Sequence, residues 1–244
     1  MKVVLTGASG GMGLKIFMAL CDLGFDIACC SKSMPQLLVD LIKEKNDLGG
    51  NHVLLNLDLE LDESIQQCLK KIEIWAEKRV DILINCAGMS HGSLVNMTRI
   101  DDLKKVFQVN FFGQIMLTQK VSRYIARNGG GRIINIASHS GLRADRGTLA
   151  YGSSKAALIH ATKIMAAEYA VDGISVNAIA PSITDTNMAL DMDPKVVQKI
   201  LKQTAIGRKV QVEEIVSVVV FLVKHAPLAL TGEVLKVDGC ISLI

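Results

Sequence analysis

The stretch Lys2-Val-Val-Leu-Thr-Gly-Ala-Ser-Gly-Gly-Met-Gly13 decides the fold of this chain. Lys2–Leu5 is short and rich in β-branched residues, as a buried strand requires. Glycines crowd the next residues, and an apolar periodicity then predicts a helix through Leu23. A strand, a glycine turn and a helix in immediate succession suit the pyrophosphate of a dinucleotide. Glycines admit the backbone to close approach, while free N–H groups and the helix dipole hold the negative charge. The spacing departs from the general G-x-G-x-x-G fingerprint. Gly7, Gly11 and Gly13 give T-G-x-x-x-G-x-G, and Gly7, Gly10 and Gly13 also satisfy G-x-x-G-x-x-G. Turns are glycine-rich anyway, so the cluster gains meaning from its place after the first strand of an alternating chain.

That alternation continues outward. Phe25–Cys30, Asn51–Leu57, Asp81–Ile84, Arg132–Ala137, Ser175–Ala180 and Glu233–Val237 read as strands. Between them lie helical patterns at Met34–Asn46, Leu61–Lys78, Ile100–Arg127 (one long helix), the segment after Tyr151, and Val212–Lys224. Residues 185–204 form a polar connection of the kind that often serves as a lid. The reading is α/β: one domain over residues 1–244, a doubly wound parallel sheet of the Rossmann type.

Composition narrows the function. The chain has 244 residues, half of them hydrophobic (50%), enough for one well-filled domain. A net charge of +3 is too mild to imply nucleic acid or an anionic membrane. Mean hydropathy is positive, yet the longest apolar run, near Val218 to Val223, is far short of a span of ~20 residues. The first residues do not read as a signal peptide. Cys21, Cys29, Cys30, Cys68, Cys86 and Cys240 form no paired C-x-x-C pattern, so no metal is expected and the thiols should be reduced. A soluble cytoplasmic protein is the expectation.

The chemistry is expected between Ser138 and Lys155. Tyr151 and Lys155 are one helical turn apart, on one face. A phenol, with a reference pKa of about 10, needs help to exchange protons at neutral pH. A cation within ~4–6 Å can lower it by about 1–3 units, giving a general acid for carbonyl reduction or a base for alcohol oxidation. Ser138 ends the fifth strand, where α/β sheets bind ligands, and can hydrogen-bond the same substrate oxygen. A Tyr with a Lys four residues on also arises by chance on a helix surface. Asn110 stands in an apolar helical stretch, where burying its amide costs ~1–3 kcal/mol unless it is bonded. It either satisfies backbone locally or serves the site through water. The second strand ends at Ser31-Lys32 rather than at an acid, which favours a 2′-phosphate and hence NADP(H), with NAD(H) as the alternative; Lys32 could equally solvate a loop. Asp58 could cap the next helix or meet the adenine edge. Arg143, Asp145 and Arg146 either read a polar substrate, face solvent or bridge subunits.

Taken together, the glycine turn Thr6–Gly13, Asn85-Cys-Ala-Gly88, Asn110, Ser138 and Tyr151-x-x-x-Lys155 resemble a classical short-chain dehydrogenase/reductase over essentially the whole chain, nearest to the 3-oxoacyl-carrier-protein reductases. The resemblance implies strand order 3-2-1-4-5-6-7 and a tetrad of Asn110, Ser138, Tyr151 and Lys155. Tyr151 would pass the proton, Ser138 and Tyr151 would bind the substrate oxygen, Lys155 would bond the nicotinamide ribose, and Asn110 would hold a water. It implies cofactor contacts from Thr6, Gly7, Ser9, Gly11, Met12, Gly13, Ser31, Lys32, Asp58, Leu59, Asn85, Ala87, Gly88, Tyr151, Lys155, Pro181, Thr184 and Thr186. It also implies a homotetramer, or a homodimer, through the Ile100–Arg127 and Tyr151–Val171 helices. Three departures stand out. Pro181-Ser182 replaces Pro-Gly, so a side chain at 182 stiffens the hinge or narrows the site. Ser9-Gly10 lacks the base many NADP members carry. Gly129 and Asp172 replace the basic residues that dock an acyl carrier.

The expected activity is NADP(H)-dependent reduction of a ketone, a β-ketoacyl thioester or similar carbonyl, carrier-bound or free. The alternatives are a polyol or sugar dehydrogenase working oxidatively, and a catalytically idle member that only binds cofactor. The second would lack one of Ser138, Tyr151 and Lys155, and all are present.

Overall fold

A computed structural model describes residues 1–185 and 194–241. The elements are β1 (Lys2–Thr6), α1 (Gly11–Asp22), β2 (Asp26–Ser31), α2 (Gln36–Asp47), β3 (Val53–Asn56), α3 (Asp62–Ala76), β4 (Ile82–Asn85), α4 (Ile100–Phe107), α5 (Gly113–Arg127), β5 (Gly131–Ile136), α6 (Leu149–Tyr169), β6 (Ile174–Pro181), α7 (Pro194–Lys202), α8 (Val212–Lys224) and β7 (Val234–Val237). The strands form one seven-stranded sheet in the order β3-β2-β1-β4-β5-β6-β7. Every neighbouring pair is parallel. The chain reverses its direction of travel across the sheet between β1 and β4, which opens a crevice at their carboxyl ends.

Strand alternation divides the core between the two faces. In β1, Val3 and Leu5 pack with Phe17 and Leu20 of α1 and Ile215 and Val219 of α8. Val4, between them, belongs to the opposite layer with Ile65 and Ile72 of α3 and Leu117, Val121 and Tyr124 of α5. Strand β6 is buried along its whole length, as a central strand covered on both sides must be.

The expected helix over Ile100–Arg127 is not continuous. Gln108–Phe112 forms one π-helical turn between α4 and α5. Asn110 is fully buried inside that turn. Gly113 follows it against α3's leading loop, where an added methyl would stand 2.7 Å from the Leu59 carbonyl oxygen. The extra residue of a π turn rotates the face of everything after it, and such turns concentrate at functional sites. Thr186, with the rest of residues 186–193 of the expected lid, lies outside the described residues, and the lid's later part is the helix α7.

Candidate active site

The crevice is built from glycines that bring backbones together. Gly7 has φ +71°, and a methyl there would lie 2.8 Å from the Ala87 backbone. One at Gly13 would lie 2.1 Å from the Gly7 carbonyl oxygen. The start of α1 therefore folds back on the end of β1 with no room for a side chain. Thr6 locks this corner to β4. Its fully buried hydroxyl accepts from the Cys86 and Ala87 N–H groups, each at 3.0 Å. No acid stands in the first turn of α1, so its first-turn N–H groups at Gly11, Met12 and Gly13 present an unopposed positive dipole end. This cradle fits a dinucleotide pyrophosphate.

At the end of β2, the Ser9 hydroxyl hydrogen-bonds Ser31 and lies 3.1 Å from the Ser33 hydroxyl. Ser33 was not singled out from the sequence, although Ser-Lys-Ser at a strand end is a readable cue. Lys32 is not the free cation expected there. Its ammonium bridges Asp58 at 3.0 Å and Glu60 at 2.8 Å, and Lys105 joins Glu60 at 3.1 Å. Both carboxylates hold the Lys32 pKa above its ordinary value. The Asp58 carboxylate also accepts from the Glu60 N–H at 3.0 Å, capping its own turn rather than α3. Leu59 is buried, and its carbonyl accepts from Gln108 at 3.3 Å.

Asn85 spends its amide N–H groups inside the protein. Its side chain is fully buried and donates to Asn135 at 2.9 Å and Thr118 at 3.0 Å, and Asn135 in turn donates to Thr162 at 2.9 Å. Asn85 and Asn135 are register partners, so the polar ladder runs between adjacent strands and ties them to α5 and α6. The three partners escaped sequence reading because nothing in the pattern marks a polar residue inside an apolar strand or helix as paired across elements.

The four expected catalytic residues converge beyond this ladder. Asn110 Nδ2 donates to the Met89 carbonyl at 2.9 Å and to Ser154 Oγ at 3.0 Å, and its Oδ1 accepts from Met89 N at 2.9 Å. Local satisfaction of backbone therefore accounts for the buried amide. A water there would have to use the second lone pair of Oδ1 or a backbone group. A methyl at Gly88 would lie 3.3 Å from both Asn110 Oδ1 and Lys155 Nζ, so Gly88 separates the two.

Ser138, at the carboxyl end of β5, accepts from Ser140 N at 3.2 Å, and its hydroxyl is near enough to the Tyr151 phenol to act on its pKa. The loop between them is pressed onto α6. A methyl at Gly141 would lie 2.8 Å from the Ala156 backbone nitrogen, and one at Gly152 would lie 2.8 Å from the Ser140 carbonyl. Lys155 is buried and donates to the Ile136 carbonyl at 2.7 Å. Burial pushes its pKa down to about 8, against a small opposing pull from Cys86. The expected lowering of the Tyr151 pKa by Lys155 is absent here. Burial raises the phenol, and the nearby Ser138 hydroxyl is the influence that lowers it. The Lys155 ammonium is turned to the β5 carbonyl instead.

Pro181 offers its carbonyl to His139 at 3.3 Å, Thr184 bridges to Val210, and the buried Ser182 hydroxyl has no hydrogen-bond partner among the described residues. Arg143 donates to Asp145 at 3.0 Å, to the Ile241 carbonyl at 3.3 Å and to Gln203 at 3.4 Å. It is a clamp between segments rather than an open substrate-reading cation.

A parallel sheet with a glycine corner at its switch point and a Ser–Tyr–Lys group at the strand ends defines an oxidoreductase of the dinucleotide-binding class. Comparison with known proteins makes this particular. The model of the short chain dehydrogenase family matches residues 1–196, and the chain belongs to that family. It is 32% identical over 238 residues to the 3-oxoacyl-[acyl-carrier-protein] reductase FabG of Aquifex aeolicus, covering 97% of this chain and 95% of that protein. It is 30% identical over 241 residues to the L-xylulose reductase of Caenorhabditis elegans, covering 98% and 94%. A gluconate 5-dehydrogenase from Burkholderia cenocepacia, solved in complex with NADP and tartrate, superposes with a TM-score of 0.89 at 28% identity, covering 99% of this chain and 94% of that one. The expected strand order agrees with the sheet observed. No helix among the described residues is long and apolar enough to cross a membrane.

Proposed function

We propose that this chain is an NADP(H)-dependent reductase that converts a small ketone to a secondary alcohol. The observation that carries the reading is the Ser138–Tyr151 hydroxyl pair at the end of β5, with Lys155 buried one turn along α6. When bound, the nicotinamide supplies or takes up the hydride. Ser138 and Tyr151 aim two hydroxyls at one carbonyl oxygen, and Tyr151 gives it the proton. Lys155, at about 8, is close enough to neutrality to lose and regain a proton and so restore the phenol.

Support for NADP(H) over NAD(H) comes from the Ser9, Ser31 and Ser33 hydroxyls beside Lys32, which together suit a phosphate. Asp58 and Glu60 offset part of that cation's charge, so the preference for NADP(H) should be moderate. Gly129 and Asp172 at the positions expected to be basic favour a free substrate over a carrier-bound one. A polyol-derived ketone, such as the relatives' names suggest, stands beside a β-ketoacyl thioester. Residues 1–244 read as one cofactor-binding domain in a cytoplasmic homotetramer or homodimer. Exposed Phe112 and Ile164, on the helices expected at an interface, agree with self-association.

The test is a panel of β-ketoacyl thioesters, ketoses and simple ketones, followed by loss of reduced-cofactor absorbance with NADPH and with NADH. Turnover of at least one ketone, faster at low NADPH than at low NADH, is expected. Cofactor binding without turnover of any ketone or alcohol would instead indicate a non-catalytic member.

A further inference from the structure

His139 follows the candidate catalytic Ser138 and is buried, yet no step of the proposed reaction uses it. Its two ring nitrogens face different parts of the molecule. Nδ1 lies 3.3 Å from the Pro181 carbonyl, at the carboxyl end of β6. That oxygen can only accept, so Nδ1 must carry the hydrogen. Nε2 lies 3.6 Å from Asp145 Oδ2. Asp145 is held from its other side by Arg143 Nε at 3.0 Å. Arg143 reaches on to Gln203, just after α7, and to the carbonyl of Ile241. The Asp145 carbonyl anchors Thr148 Oγ1 at 2.7 Å, directly before α6.

We infer that His139 is a positioning residue that fixes the Ser138 loop against the carboxyl end of β6. Ser138 can serve as a hydroxyl donor only if its loop stays in register with the neighbouring strand end, where Pro181 and Thr184 lie. A misplacement of ~1 Å in such a group can cost on the order of a hundredfold in rate. Besides Asp145 and Arg143, Asp238 also acts electrostatically on the ring. Burial disfavours the charged ring against the pull of these two acids, so the ring can stay neutral and keep the Nδ1–H bond to Pro181.

The inference rests on the reading of Ser138 as a substrate-binding hydroxyl, and the experiment separates the two. Asn reaches as far as Nδ1, whereas Gln reaches as far as Nε2. His139→Asn keeps a donor for the Pro181 carbonyl, and His139→Gln moves it to the Asp145 side. Kinetics with NADPH and a turned-over ketone should leave kcat of H139N within about threefold of wild type. In H139Q and H139A, kcat should fall by about tenfold or more, with a smaller change in ketone KM. Equal losses in H139N and H139Q, or none in either, would overturn the inference. If no ketone is turned over, or the variants fail to fold, long-range proton–nitrogen NMR of the imidazoles in the wild-type chain decides it without activity. A buried ring protonated on Nδ1, with a proton held at a carbonyl, supports the inference. If every buried ring proves to be protonated on Nε2 alone, it is wrong.

Discussion

Lys155 holds an ammonium group away from water, with the Ile136 carbonyl as its direct partner. Burial lowers its pKa from 10.5 to about 8. The sign of the consequence follows from proton counting. Between about pH 8 and 10.5 the unfolded chain keeps a proton on this lysine that the folded chain has lost, so stability gains with rising pH across that window. Below pH 8 both states are charged and the penalty is constant. Relative to Lys155→Met, the wild type should gain about 3 kcal/mol of unfolding free energy from pH 8 to 10.5, read by urea titration at each pH. A flat difference would mean that the amine is already free of its burial penalty. Lys32 poses the opposite case, an exposed cation already paired with Asp58 and Glu60. Because those carboxylates compete for it, Lys32→Ala should raise the NADPH Kd by about tenfold, the low end for a charge-assisted contact, with NADH nearly unchanged. Equal effects on both, measured by fluorescence titration, would remove Lys32 from the 2′-phosphate site. Ser138, Tyr151 and Lys155 were legible in the sequence because their chemistry needs those residue types at that spacing. His139, Asn135 and Ser33 were not, because their partners lie on other strands and loops.

At the scale of elements, the strands and most helices were legible because the hydrophobic period changes cleanly between them. The π turn at Gln108–Phe112 was not, since one inserted residue barely disturbs an apolar helical pattern. The turn nonetheless buries Asn110 where its amide can hold Met89 and Ser154. The glycine corner between β1 and α1 shows the other side of this. Its glycines were visible, but only the fold shows which of them is indispensable. A methyl at Gly13 would stand 2.1 Å from the Gly7 carbonyl, and that neighbour is backbone with nowhere to go. Gly13→Ala should therefore displace the start of α1, cost about 3 kcal/mol, and lower the melting temperature by about 6–12 °C. NADPH affinity should fall with it. A methyl at Gly24 meets no atom within 4 Å, so the space around it is open, although its φ of +76° keeps some strain in any substitution there. A Gly13→Ala change as mild as Gly24→Ala in a thermal melt would contradict the close approach.

For the molecule as a whole, the order β3-β2-β1-β4-β5-β6-β7 places the glycine corner, the Asn85–Asn135 ladder and the Ser138 loop along one edge of the sheet, at the strand carboxyl ends. That edge could be anticipated from simple alternation of strands and helices, because right-handed crossovers leave few other topologies. Substrate choice could not, since it depends on loops whose shape has no periodic signature. The central claim is that Tyr151, beside Ser138 at the end of β5, is the proton donor to the substrate oxygen. Single-turnover reduction of a ketone by NADPH-loaded Tyr151→Phe tests it most directly, because the ring is retained and only the hydroxyl is lost. The account predicts wild-type NADPH affinity with a hydride-transfer rate lower by a factor of about 100 to 10,000. A variant that binds NADPH and reduces the ketone at the wild-type rate would contradict it.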